Sequence, residues 1–173
     1  DSSAIVEGYF EDGREDAAQL RRGNFMARAR MMVLYDHSVT WGGLVIGTGN
    51  KTETLIGYST LWGDSASAFN PIGDLYKSQI RQLSATVGVP DAVIRKAPSA
   101  DLWTGQTDED ELGLTYEMAD HILHCLCNLR LSPDSLSAPP YDLPEEAVEK
   151  VVGLIRSMSF KRRLPEGAGR GGR

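Results

Sequence analysis

Residues 44–77 read LVIGTGNKTETLIGYSTLWGDSASAFNPIGDLYK, and the rest of the chain is organised around them. Leu44-Val45-Ile46 is an apolar run ending in Gly47, too short for a helix, and is expected to be a buried strand. Thr48-Gly49-Asn50 is a turn cluster. Asn50 stands three residues before Glu53, the spacing of a capping box at a helix start. The pattern is therefore strand, tight polar turn, helix, and in α/β folds ligands bind beyond the carboxyl ends of strands, where such turns lie. A second helix is expected to open near Asp74 and to carry Lys77 in its first turn. Between the helices lies a Gly/Ser/Ala/Asn/Pro segment with Asp64.

The remaining sequence is read outward from this stretch. Gly23-Asn24 is expected to start a helix with Asn24 as N-cap, running to about Thr40 through Ala27, Met31, Leu34, Tyr35 and Ser38. Ser2 to Phe10 reads as a short helix and Glu11 to Ala17 as a surface loop. Asp74 to Val87 is amphipathic and closed by Gly88, and Pro90 begins a short helix to Lys96. Ala97 to Thr107 is a hydroxyl-rich loop of a length that is often functional. Asp108 to Leu112 reads as one helical turn, Thr115 to Leu131 as a helix, Ser132 to Asp142 as a linker, and Pro144 to Met158 as the last helix. The tail is Gly/Arg-rich and expected to be disordered.

The 173 residues are enough for one domain with a real core. A net charge of −6 makes nonspecific nucleic-acid binding an unlooked-for property. No apolar run reaches membrane-spanning length, so no membrane association is expected. Cys125 and Cys127 read as reduced thiols of a cytoplasmic protein, because side chains two apart on a helix do not face each other.

Several residues carry both a bland and a chemical reading. Glu53 is half of a cap, or a carboxylate ligand for Mg²⁺. Lys77 is a solvated lysine, or the counter-charge to a polyphosphate. Thr48 satisfies backbone at a strand exit, or bonds a nucleotide. Ser99 caps a turn, or meets a phosphate oxygen. Arg28 pairs with a surface carboxylate, or faces a ligand. Asp64 after Gly63 is turn chemistry, or a proton acceptor. His121 and His124, three apart, share a helix face, but two histidines without further ligands read as structural rather than as a metal site.

Taken together, GNFMARARMMVLYD, VIGTGNKTE, LIGYSTLWGD, FNPIGDLYKSQ, KAPSADLWTGQTDEDELG and SFKRRLP occur in one order, and in that order the chain resembles the C-terminal two-thirds of ammonia-dependent NAD synthetase over about Gly23 to Pro165. The resemblance implies a Rossmann-like α/β fold of the adenine nucleotide alpha-hydrolase type, a parallel sheet with flanking helices, of which this chain holds a mostly helical part. Residues 1–165 would form the C-terminal part of a single domain and 166–173 a disordered tail. It implies ATP-dependent amidation of deamido-NAD by ammonia through an adenylate, with ATP and Mg²⁺ required and a homodimer as the assembly. By motif, Arg28 and Lys161 match deamido-NAD contacts, Thr48, Lys77 and Ser99 match ATP contacts, Glu53 matches the Mg²⁺ ligand, and Asp64 matches an aspartate that helps deprotonate ammonium.

The sequence departs from the family at three points. Leu61 stands where many relatives carry a substrate-contacting lysine, Ala68 where they carry an aspartate, and Phe160-Lys161 where they carry His-Lys. The family's Ser-Gly-Gly-x-Asp-Ser nucleotide loop has no counterpart, and a segment carrying it is expected upstream of Asp1. Two alternatives stand beside the ligase reading. One is a noncatalytic dinucleotide-binding or dimerisation remnant, and the other is the synthetase part of a glutamine-dependent enzyme.

Overall fold

Helical periodicity dominates the described residues, 3–10 and 19–163 of the computed structural model. The elements are α1 (Ser3–Phe10), α2 (Gln19–Trp41), α3 (Lys51–Ile56), α4 (Lys77–Thr86), α5 (Asp91–Ile94), α6 (Asp108–Leu112), α7 (Tyr116–Leu123), α8 (Pro133–Leu136) and α9 (Glu145–Ser157). The centre is α7. Its Tyr116, Ala119, Ile122 and Leu123 recur at helical spacing and are almost completely buried. Tyr116, Ile122 and Leu123 pack with Ile56 of α3, Leu136 of α8, and Val148 and Val151 of α9 into one cluster. Burying Ile122 and Leu123 stabilises the fold by roughly 1.5–3 kcal/mol each. In α9, Glu145 and Glu146 open the helix and Arg156 closes it, the polarity that the helix dipole favours.

A second, aromatic cluster joins α1 to the start of α2. Tyr9 stacks on Phe25 with centroids 4.2 Å apart, and Phe10 meets Phe25 edge-on at 5.5 Å. Farther along, α2 leaves its apolar residues uncovered, with Leu34, Val39 and Trp41 exposed.

Several sequence expectations are corrected. Among the described residues Leu44 to Gly47 finds no strand to pair with beyond one bridge, and no sheet forms. The segment makes a single parallel bridge, Ile46 with Phe69. The Ala68 N–H donates to Val45 O at 2.9 Å and the Gly47 N–H to Phe69 O at 2.7 Å. The pairing stops there because the partner turns away at Asn70-Pro71, and proline has no N–H to continue a ladder. Leu44 and Ile46 are accordingly exposed while Val45 is buried. Gly47 is required by packing, since a Cβ would come within 2.5 Å of the Ser67 Oγ.

Asn24 is not an N-cap. The helix already begins at Gln19, and the Asn24 side chain accepts the Thr60 hydroxyl at 2.6 Å across to another segment. The second helix opens at Lys77 rather than Asp74. Leu75 O accepts the Lys51 N–H at 2.9 Å, which takes that carbonyl away from a helical partner, and Asp74 pairs with Lys51. The helix expected over Thr115 to Leu131 is α only to Leu123 and continues as a π-helix over His124–Asn128. Asn128 there accepts the Tyr76 hydroxyl at 2.6 Å. The short helix expected from Pro90 to Lys96 covers Asp91–Ile94. The expected loop at 11–17 and the tail at 166–173 lie outside the described residues.

The buried positions of α7 set the stability of the fold. Ile122→Ala is expected to lower unfolding free energy by about 2–5 kcal/mol in urea titration, against less than about 0.5 kcal/mol for Val93→Ala on exposed α5. Equal losses would show that α7 is not the core.

Candidate active site

Two helix starts create the site. At α3, the Asn50 side chain accepts the Glu53 N–H at 2.9 Å and Glu53 Oε2 accepts the Asn50 N–H at 3.0 Å, so the capping box forms. The other carboxylate oxygen, Oε1, accepts from Lys77 Nζ at 2.8 Å, and both side chains are about four-fifths buried. Lys77 is the first residue of α4. The Lys77 ammonium also lies 4.9 Å from the centroid of the Tyr116 ring, a cation–π distance.

Beneath this pair is a hydrogen-bonded acid cluster that spacing alone did not reveal. The Tyr116 hydroxyl donates to Asp108 Oδ2 at 2.9 Å. The Tyr58 hydroxyl lies 3.1 Å from Asp108 Oδ1 and 2.6 Å from Glu111 Oε2. Gln106 donates to the other oxygen of Glu111 at 3.0 Å. Burial pushes the Asp108 carboxyl above its ordinary value, opposed by the two phenols and by the charge of Lys77. Burial, followed by nearby carboxylates, pushes the Tyr116 phenol far up, so it stays a neutral donor.

Asp64 sits on the turn after α3. Its Oδ1 accepts the Thr60 N–H at 2.7 Å. The residue as a whole is exposed, yet loss of water around the carboxyl raises its pKa, with Glu53 adding to the rise and Lys161 opposing it. Lys161 donates to Gly57 O at 2.7 Å and Ser59 O at 2.6 Å, and burial lowers its pKa against the pull of Asp64. Glu53, Lys77, Asp64, Lys161 and Asp108 thus share one electrostatic neighbourhood.

The other sequence-selected residues lie around it. Thr48 is exposed on the turn before α3. Ser99 accepts the Asp101 N–H at 3.0 Å and lines a cavity of about 280 Å³ together with Lys77, Arg81, Ser84 and Lys96. Arg28 is exposed, and its Nε donates to Leu61 O at 3.1 Å, which ties α2 to the turn that carries Asp64. Leu61, the position of a lysine in many relatives, is therefore held through its backbone. Ala68 and Phe160 are exposed. A glutamate three residues after an asparagine was a local signal. Asp108, Tyr58 and Tyr116 come from separate segments and gave none.

A family model described as NAD synthase matches residues 1–165. The curated NH(3)-dependent NAD(+) synthetase of Trichlorobacter lovleyi is 55% identical over 161 residues, covering 93% of this chain and 58% of that protein. That of Chlorobium phaeovibrioides is 51% identical over 165 residues, covering 95% and 58%. Among solved structures, an NMN synthetase from Francisella tularensis is similar with a TM-score of 0.79 and 33% identity, covering 95% of this chain and 63% of that one. An NH3-dependent NAD synthetase from Campylobacter jejuni is similar with a TM-score of 0.75 and 31% identity, covering 96% and 62%. The chain spans less than two thirds of the length of each.

The titration of Asp64 gives a test. Above the ordinary carboxylate value of 3.8, a group with a raised folded pKa holds more protons folded than unfolded, so its contribution to stability falls as pH rises. Asp64→Asn keeps an acceptor for the Thr60 N–H and removes that loss. Its urea midpoint relative to wild type is expected to climb as pH rises above about 4. Parallel curves would mean that Asp64 titrates normally.

Proposed function

Because the chain belongs to the NAD synthase family, we propose that the protein containing it is an ATP-dependent ligase that amidates deamido-NAD with ammonia, releasing NAD, AMP and pyrophosphate. The observation that carries this reading is the Glu53–Lys77 pair at two adjoining helix starts. It sets an oxygen ligand for a hard cation beside an ammonium for phosphate.

A carboxylate resists attack by an amine because it lacks a leaving group. In the proposed reaction the nicotinate carboxylate attacks the α-phosphorus of ATP, and pyrophosphate leaves. Ammonia then attacks the adenylate carbonyl, and AMP leaves with the electron pair of the C–O bond. Lys77 would offset charge on the triphosphate, with Thr48 and Ser99 bonding ATP. Arg28 and Lys161 would contact deamido-NAD. Asp64, its basicity raised by burial, would take the proton that ammonium must lose to become a nucleophile.

Glu53 fits a Mg²⁺ ligand. A carboxylate has about four lone-pair sites, and two hydrogen bonds leave room for coordination. Among the described residues no group of three or more potential ligands converges, and Mg²⁺ is usually held by one or two carboxylates plus substrate phosphates. When bound, the ion would supply charge neutralisation on the polyphosphate. We further propose that Leu44 to Gly47 completes a parallel sheet in a Rossmann-like domain, that the protein acts as a cytoplasmic homodimer, and that ammonia is taken up free.

Incubating the native protein with deamido-NAD, ATP, Mg²⁺ and ammonia should release NAD and AMP in equal amounts. Absence of AMP would overturn the ligase reading in favour of a dinucleotide-binding remnant. Glu53→Gln should raise the Mg²⁺ concentration for half-maximal rate roughly tenfold or more, since ligand charge sets affinity for a hard cation. An unchanged magnesium dependence would remove Glu53 from the metal site.

A further inference from the structure

Asp120 on α7 is 5% exposed and bonds to the neighbours in sequence of Glu53 and Lys77. Its Oδ2 accepts the Ser78 N–H at 2.8 Å, and its Oδ1 accepts the Thr52 hydroxyl in a short hydrogen bond. Thr52 Oγ in turn accepts the Lys77 N–H at 3.0 Å. Thr52 is the residue before Glu53, and Ser78 is the residue after Lys77. One buried carboxylate therefore sets the first turns of α3 and α4 against each other, 68 residues away in sequence from Thr52.

We propose that Asp120, acting through Thr52, is a positioning residue that fixes the separation of Glu53 and Lys77. The proposal rests on the reading of that pair as the site of Mg²⁺ and triphosphate. The chemistry of the relay is demanding at both members. The Thr52 oxygen must accept one hydrogen bond while its hydrogen is donated onward, which serine reproduces and valine, of nearly the same shape, does not. Asp120 must accept on both oxygens, which asparagine cannot do. An amide turned to either donor presents its own N–H groups to the other, leaving the Ser78 N–H or the Thr52 hydroxyl without an acceptor. The carboxylate also stands at the start of α4, where an anion is favoured by the helix dipole and by otherwise unmet N–H groups.

A residue that only stabilised the fold would change the amount of active protein and its melting point. A positioning residue changes the affinity for the group that the pair binds. In the native protein, Thr52→Val is expected to raise KM for ATP at saturating Mg²⁺ roughly tenfold, with KM for ammonia altered by less than about twofold. Thr52→Ser should restore the wild-type values. In a Lys77→Ala background the valine substitution should add less than about twofold, because groups that act through one another are non-additive. A fall in thermal midpoint with KM for ATP unmoved would overturn the proposal, as would a full tenfold cost in the absence of Lys77. Asp120→Asn should repeat the Thr52→Val effect; where it does not fold, the near-isosteric Thr52→Val decides alone.

A second readout separates this proposal from the proposed function. A crystal structure of the Thr52→Val protein should show Lys77 Nζ and Glu53 Oε1 parted beyond about 4 Å, the outer limit of an ion pair. Retention of the 2.8 Å contact would refute the positioning role whatever the reaction. If Lys77→Ala itself left KM for ATP unchanged, the reading of the pair as a triphosphate site would fall, and the crystallographic separation would still decide what Asp120 and Thr52 do.

Discussion

Backbone N–H groups at the beginning of a helix need acceptors, and α3 and α4 begin side by side. Side chains supply acceptors, Asn50 and Glu53 for α3 and Gln79, Thr52 and Asp120 for α4, and Leu75 O takes the Lys51 N–H. Meeting those needs draws polar groups into a partly buried space and fixes their directions. The Glu53 carboxylate is oriented by the same capping that starts its helix. Lys77 is brought to it because α4 starts where its N-terminal donors find Thr52 and Asp120. The chemistry of the site is in this sense a by-product of satisfying two helix ends.

The electrostatics follow from crowding these groups. Glu53 is answered by Lys77, and the charges of Asp64 and Lys161 act on each other. Asp108 is answered by phenol hydroxyls instead. The whole chain carries a net charge of −6, so an anion approaching it is attracted only where cations are concentrated. Lys77, Arg81 and Lys96 line one cavity, each paired with a carboxylate, Glu53, Glu117 and Asp101 in turn, and a Coulomb interaction gains strength as solvent is excluded around it.

What the sequence made legible was local. The capping box was visible because its two members are three residues apart, and α7 and α9 were visible because their apolar residues keep a helical period. What escaped depended on distant segments. Leu44-Val45-Ile46 has the composition of a strand, but a strand is defined by its neighbours, and among the described residues Ile46 finds one bridge partner. Asn24 has the type of an N-cap, yet its amide is taken by Thr60. The π-helix after Leu123 and the Asp120–Thr52 bond had no local signature, the latter joining residues 68 apart. Ordered motifs pointed to the family because they sum many such distant constraints at once.

Lys161 and Arg162 grip the far end of α3. Lys161 holds Gly57 O and Ser59 O, and Arg162 holds Leu55 O at 2.6 Å, across 102 to 107 residues of sequence. A six-residue helix has little stability of its own. Its far end is thus clasped by a segment that the ribosome delivers long after it. Closing a loop of that length must precede the reward, so α3 cannot mature as an independent unit during synthesis. The helix that carries Glu53 is therefore completed only once residues 161 and 162 have docked, which makes the shape of this site a late product of folding.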